Sequence, residues 1–426
     1  VCLALCCAPV AATAAAVPST PAGRQLGWLL SIAKLPLPAA EIEGHFDAAF
    51  LAKAPPAELN SVFASLAQSG LPTLVGLPRA APSSLSAVIA FGQTSYDVVL
   101  TVDGSGLISG LLFTPHAVPA PTSWRALDAQ LGAIAPGTGF LAARVGAGGT
   151  CTAVHAVNAS TPRPLGSMFK LFVLGALANA VHEHKIAWGQ LVTVTAAVKT
   201  GGSGTLQNVP DGTKVTVEQA ALKMISISDN TAADLLLNLV GRSAVEAQVH
   251  AWVSQPRLDI PFLTVKELFA LHYDDFPALA KRYLSLGPAA RAAFLSSTVD
   301  RVRPGAETAV AAPRDIDSIE WLASPDDICR AFSGLAALQA EPGLQPLGTV
   351  LSTNNGGIGL SATAWPTIWF KGGSEPGVLT LAFLARDSAG RTDVVVALTE
   401  NPAKPLGPTA VNDLLAVVRG ALGLLR

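Results

Sequence analysis

The chain of 426 residues is long enough for two or three domains, and half of it is apolar, so it can bury a large core. Lys+Arg 28 against Asp+Glu 30, with a net charge of −2 and only 14 % charged residues, provides no basic field for a phosphate backbone and excludes nucleic acid as an expected partner. A mean hydropathy of +0.44 owes much to Ala; 38 Gly and 31 Pro break the apolar runs, and with no later span of about 18–20 strongly apolar residues a polytopic membrane protein is excluded.

Residues 1–22 differ from the rest: an apolar stretch, then Ala- and Thr-rich sequence, then Pro and Ser. This resembles the apolar core and cleavage region of a signal peptide, without a basic start, and predicts a secreted or cell-envelope protein. Leu3-Ala4-Leu5-Cys6 is close to a lipoprotein acylation box, so a lipid anchor is the alternative to free secretion. Cys2, Cys6 and Cys7 fall in this segment, leaving Cys151 and Cys329, for which one disulfide is open. His182-Glu183-His184 is the one tight His cluster; with no Cys near, it reads as a solvated helix end, and no metal or other cofactor is expected.

Residues 23–114 predict a small α+β unit. Apolar residues at helical spacing up to about Ser69, interrupted by Pro36, Pro38, Pro55 and Pro56, suggest two or three short helices. Strands follow at 86–92, 96–102 and 107–113, the last two joined by the hairpin signal Asp103-Gly104-Ser105-Gly106. Helices and then an antiparallel meander are similar to cystatin-like or steroid-isomerase-like architectures, which imply no chemistry. This unit is the one left to bind a partner that the sequence does not identify. Pro115, Pro119 and Pro121 mark a linker over 115–124, and residues 125–426 form the larger unit. There a hairpin is expected at 138–145 and 150–157 around Gly146–Gly149, helices across 166–345, strands at 367–370, 378–385 and 392–399, and a final helix at 408–425. One sheet made from both ends of the segment requires those ends to meet.

Three short motifs carry chemistry. Ser167-Met168-Phe169-Lys170 opens the apolar run Leu171-Phe172-Val173-Leu174, which places the serine and lysine on one face at the start of a buried helix. A desolvated lysine can take the proton of a serine nucleophile, and a helix start offers N–H groups to an oxyanion. Ser31 and Lys34 share the same spacing without that context. Ser228-Asp229-Asn230 lies where one helical pattern stops and another begins, so Ser228 or Asp229 as a helix N-cap is the plain alternative. Ser352-Thr353-Asn354 is a looser look-alike. Lys371-Gly372-Gly373-Ser374 follows a strand-like run, a lysine beside backbone bare enough for close ligand approach. The literal K-T-G at Lys199-Thr200-Gly201 runs into a flexible loop and is set aside.

In this order, S-x-x-K, S-D-N and K-G-G resemble the active-site serine family of class A β-lactamases and penicillin-binding proteins. The resemblance spans roughly residues 125–426, and with the N-terminal unit it is similar to the β-lactamase-related proteins of actinobacteria, including one encoded with the clavulanic acid pathway. It implies a five-stranded antiparallel sheet against a helical half with the serine between them. It further implies Ser167 as acylated nucleophile, Lys170 as its base, Ser228 as proton relay to the leaving nitrogen, and Asn230 orienting Lys170 and substrate. Lys371 would bind a substrate carboxylate, Gly373 would let the backbone approach, the N–H groups of Ser167 and Ser374 would form the oxyanion hole, and Asp229 reads as structural.

Two departures qualify the resemblance. Gly372 lacks the hydroxyl usual in the third motif, which Ser374 could partly replace, and no E-x-x-L-N string supplies a deacylating carboxylate. Glu267, expected exposed on a helix, and Glu320 are weak substitutes. The expected function is therefore a serine hydrolase acting on small β-lactams, amides or esters, with slow deacylation in view. The alternatives are an acylated binding or sensor-like protein with little turnover and a non-catalytic scaffold. Trp365 and Trp369 are expected between sheet and helices; His155 and His272 have no visible partner, and Arg163, Asp315 and Asp317 are candidates for the lining of the cleft or for its rim.

Overall fold

The computed structural model describes residues 16–302 and 312–426, so of the export-like segment 1–22 the first fifteen residues, with Cys2, Cys6 and Cys7, lie outside the described residues, and its last two open the first helix. The described residues divide into two compact units, one up to residue 118 with 407–412, the other from residue 119 to 406 with 413–426.

The first unit holds four helices, α1 (Pro21–Ser31), α2 (Ala39–Glu43), α3 (Ala48–Leu51) and α4 (Pro56–Ala67), then strands β1 (Pro72–Ala80), β2 (Ser84–Phe91), β3 (Thr94–Val102) and β4 (Ile108–Pro115). Pro21 and Pro56 stand in the first turns of their helices, where a missing N–H costs nothing, and Thr20 caps α1 through Gly23 N. The strands form an antiparallel meander in sequence order. Leu26, Leu29, Phe63, Leu85, Ile89, Val98 and Leu100 close one core between helices and sheet. β1 escapes the sequence pattern because its exposure alternates only over Pro72–Gly76 and its register slips twice, between Leu74 and Gly76 and between Gly76 and Arg79.

The second unit begins with α5 (Trp124–Ile134), β5 (Gly137–Val145), β6 (Cys151–Val157), β7 (Arg163–Pro164) and α6 (Lys170–His182). It continues through β8 (Leu191–Thr193), β9 (Lys214–Thr216), α7 (Val217–Ser226), α8 (Asn230–Val240), α9 (Arg242–Trp252), α10 (Val265–Tyr273), α11 (Ala278–Leu284) and α12 (Pro288–Ser297). Then come β10 (Leu322–Ala323), α13 (Pro325–Gln339), α14 (Pro346–Ser352), β11 (Thr367–Glu375), β12 (Val378–Arg386), β13 (Thr392–Glu400) and α15 (Ala410–Leu424). The main sheet is antiparallel in the order β11-β12-β13-β5-β6, and the two ends of the segment meet where β13 pairs with β5 from Thr392↔Val145 to Glu400↔Gly137. α6 is apolar on nearly every side and is enclosed by α8, α9 and α13, as an all-round hydrophobic helix must be. Gly175 permits the α6–α9 approach, because a Cβ there would stand 2.3 Å from Cη2 of Trp252. Trp365 and Trp369 are buried. Cys151 and Cys329 are joined in a disulfide between β6 and α13. The second unit thus has a β-lactamase/transpeptidase-like fold, an antiparallel sheet with a helical half.

Candidate active site

The nucleophile segment is fixed before the helix starts. β7 pairs with β10, Leu165 N–H donates to Trp321 O at 2.9 Å, and Gly166 turns the chain with a φ of +51° into the tight turn Gly166–Phe169. Ser167 therefore precedes α6 and Lys170 is its first residue, with the side chains facing each other.

Lys170 is fully buried. Its Nζ lies 3.0 Å from Ser167 Oγ, 2.6 Å from Ser228 O, 3.1 Å from Ser228 Oγ and 2.7 Å from Asn230 Oδ1. Burial first, and then the cation of Lys371, holds Lys170 well below the usual lysine range, against smaller opposing contributions from Asp229 and Asp234. A neutral amine has two N–H donors and one lone pair. Ser228 O and Asn230 Oδ1 can only accept, so they take the two donors and the lone pair is left for the hydroxyl proton of Ser167.

The second motif lies between α7 and α8, and both of its readings hold together. Asp229 caps α8 through Ala232 N (2.9 Å) and accepts with its other oxygen from Thr205 N (2.7 Å) and Leu206 N (2.9 Å), which ties the Gly-rich loop to the motif. Gly204, with φ +101°, is required there, since a Cβ would stand 2.3 Å from Cγ of Asp229. Asn230 donates to Gly201 O at 2.8 Å, fixing its amide so that Oδ1 faces Lys170. Ser228 has a φ of +57°, a conformation a serine adopts at a cost of the order of 1 kcal/mol, and in it both its carbonyl and its hydroxyl reach Lys170.

Lys371 lies within β11 rather than at a strand end, because the strand runs on through Gly372, Gly373 and Ser374 to Glu375. Its Nζ donates to Ser228 Oγ (3.0 Å) and Gly372 O (2.6 Å), and burial lowers its pKa to about 7. Ser228 Oγ thus bridges the two lysines. Gly373 lets β11 lie directly on the nucleophile turn: a Cβ there would stand 2.1 Å from Leu165 O and 2.6 Å from Ser167 N. A Cβ on Gly166 would in turn stand 3.0 Å from Ser374 N. The backbone around Ser167 is thereby brought close to that around Ser374. Thr380 on β12, which the sequence did not signal, is buried and donates to Leu165 O at 2.8 Å.

The structure corrects the exposure expected of Glu267 and the missing partner of His155, and places the other candidates. Glu267 is buried rather than exposed: Oε1 pairs with Arg242 at 2.6 Å, and Oε2 accepts from Thr264 N in the capping box of α10. Glu320 is buried and accepts from Gly166 N at 2.9 Å. His155 is not partnerless; it lies 2.7 Å from Asp128 and stacks on Trp124. His272 is buried, 3.8 Å from Glu375, and burial lowers its pKa to about 4. Arg163 pairs with Glu400, and Asp315 uses its backbone O to stop a turn at Ser318 and Ile319. The discarded Lys199 pairs with Asp211, and Ser31 Oγ bonds Trp28 O at the end of α1. Among the described residues no cluster of His, Cys, Asp or Glu is arranged to hold a metal, and no helix is long and apolar enough to cross a membrane.

Residues 138–264 match the model of the Beta-lactamase enzyme family, covering the first two motifs, and residues 17–108 match that of the ORF 12 gene product N-terminal region. The first match lies within the second unit and the second within the N-terminal unit. Among solved structures the chain is similar to a β-lactamase from Sphaerobacter thermophilus, at 22 % identity over 71 % of this chain and 98 % of that one, with a TM-score of 0.49. It is also similar to PBP-A, at 16 % identity over 73 % and 99 % with a TM-score of 0.49, and to a β-lactamase from Francisella tularensis, at 14 % over 71 % and 99 % with 0.49. No curated protein matches the sequence.

Proposed function

We propose that this protein is a secreted active-site serine hydrolase, acylated at Ser167 by β-lactams or related small amides and esters. The observation that carries the reading is the 3.0 Å contact between Ser167 Oγ and a fully buried Lys170 whose other partners accept its protons. Lys170 takes the Ser167 proton as Oγ attacks the carbonyl carbon, and the developing oxyanion is received by the N–H groups of Ser167 and Ser374. As the C–N or C–O bond breaks, Ser228 passes a proton to the leaving atom and is itself reprotonated across its contacts with Lys170 and Lys371. Below pH about 7 Lys371 also offers a positive charge to an anionic substrate. Water then hydrolyses the ester on Ser167.

Neither carboxylate singled out from the sequence is set to activate that water. Glu267 is committed to Arg242 and a helix cap, and Glu320 to the Gly166 amide. This favours an acyl-enzyme that outlives its formation, and it keeps in view a second reading, a penicillin-binding or sensor-like protein with little turnover. The disulfide supports export to an oxidising compartment. Incubation with a chromogenic cephalosporin, followed by absorbance and intact mass, tests the proposal. A hydrolase gives colour well beyond one equivalent, a binding protein gives a lasting adduct and about one equivalent, and neither adduct nor colour refutes acylation by β-lactams.

A further inference from the structure

Behind the paired amides lies a buried acidic cluster that the chemistry above does not use. Glu320 reaches across from the segment leading into β10 and accepts the Gly166 N–H at 2.9 Å, one residue before the nucleophile. Its carboxyl group also bonds the carboxyl of Glu375, one residue after Ser374. Glu320 is 5 % exposed, and its backbone is held on both sides, by Ile319 N to Asp315 O at 2.7 Å before it and by Leu165 N to Trp321 O and Leu322 N to Asp259 Oδ1 after it. Two carboxylates cannot share a bond without a proton between them.

We propose that Glu320 and Glu375 form a proton-sharing clamp, two positioning residues that fasten the Gly166–Ser167 turn to the Ser374–Glu375 end of β11 and so hold the oxyanion-hole amides together. The clamp deepens the functional reading above and rests on it for its catalytic consequence. Glu320 carries the proton, accepting from Gly166 with one oxygen and donating with the other to Glu375. Burial pushes both groups up, Glu320 further because it also faces the charge of Glu375, which itself is raised to about 7. Other titratable or charged groups surround the pair. His272 on α10 lies 3.8 Å from Glu375 and is neutral near pH 7, with Arg314 donating to its backbone O. Asp259, Tyr283 and Arg291 line a small cavity beside Glu320.

The test uses the full chain and the variants Glu320→Gln, Glu320→Ala and Glu375→Ala. Glu320→Gln can still accept from Gly166 and donate to Glu375, so it keeps the wild-type acylation rate by a chromogenic cephalosporin. Both alanine variants lose about tenfold or more in that rate with little change in initial binding, as expected when an oxyanion donor is displaced. One readout does not depend on acylation. Amide hydrogen exchange over 163–168 and 371–376 rises in the alanine variants and stays low in Glu320→Gln. Wild-type exchange in the alanine variants, or raised exchange in Glu320→Gln, overturns the clamp. These exchange changes in the variants of a protein whose wild type is never acylated keep the clamp and refute the functional reading instead.

Discussion

Gly373→Ala is a one-carbon change whose consequence follows from the backbone around it. The new Cβ would stand 2.1 Å from Leu165 O, 2.6 Å from Ser167 N and 2.9 Å from Gly166 C, and none of these atoms belongs to a side chain that can swing away. Unstrained carbon contacts lie near 3.5 Å, so β11 and the nucleophile turn must part by about 1 Å. A displacement of that size at a reacting centre costs about 100-fold, and loss of one oxyanion donor about 100- to 1,000-fold, so the acylation rate constant should fall by about two to three orders of magnitude. The strain also costs about 1–3 kcal/mol of stability. Stopped-flow or quenched intact-mass measurement of adduct formation, with circular dichroism to confirm folding, checks the expectation. A folded Gly373→Ala protein acylated at the wild-type rate would refute the close packing of Gly373 on the Ser167 turn as the basis of the hole.

Asp229→Ala removes the acceptor of three backbone N–H groups and should cost about 2–4 kcal/mol in denaturant unfolding, while Asp229→Asn should recover part of it. Lys371, lowered from 10.5 to about 7, contributes stability that is complete above its unfolded pKa and lost as pH falls through about 7. Lys371→Met should therefore flatten the rise in thermal stability between pH 7 and 10. The disulfide closes a separation of 178 residues, so Cys329→Ser should cost about 2–5 kcal/mol, measured by chemical unfolding.

The three motifs were legible because each couples a chemical residue to a local structural signal: an apolar run after Lys170, a helix boundary at Ser228, a strand around Lys371. What closed the site around them was not. Thr380 and Glu375 act through neighbours far away in the sequence, Leu165 at 215 residues from Thr380 among them, and no local pattern marks such pairs. Glu267 read as exposed because a Glu near a helix start usually is, yet Arg242, 25 residues earlier, makes its burial tolerable. His155 gained its partner from α5, and β1 was lost to an irregular register. The Gly201–Gly204 loop first drew notice as a false K-T-G; its role in bracing Asp229 and Asn230 shows only in three dimensions.

The central claim, that Ser167 is the nucleophile, is tested most directly by mapping the adduct. Wild-type protein and Ser167→Ala, both shown to be folded, are incubated with a β-lactam, digested and sequenced by tandem mass spectrometry. The account predicts one added acyl group on the wild-type peptide that contains Ser167 and none on the variant. An adduct that persists in Ser167→Ala, or that maps to another residue, would contradict it.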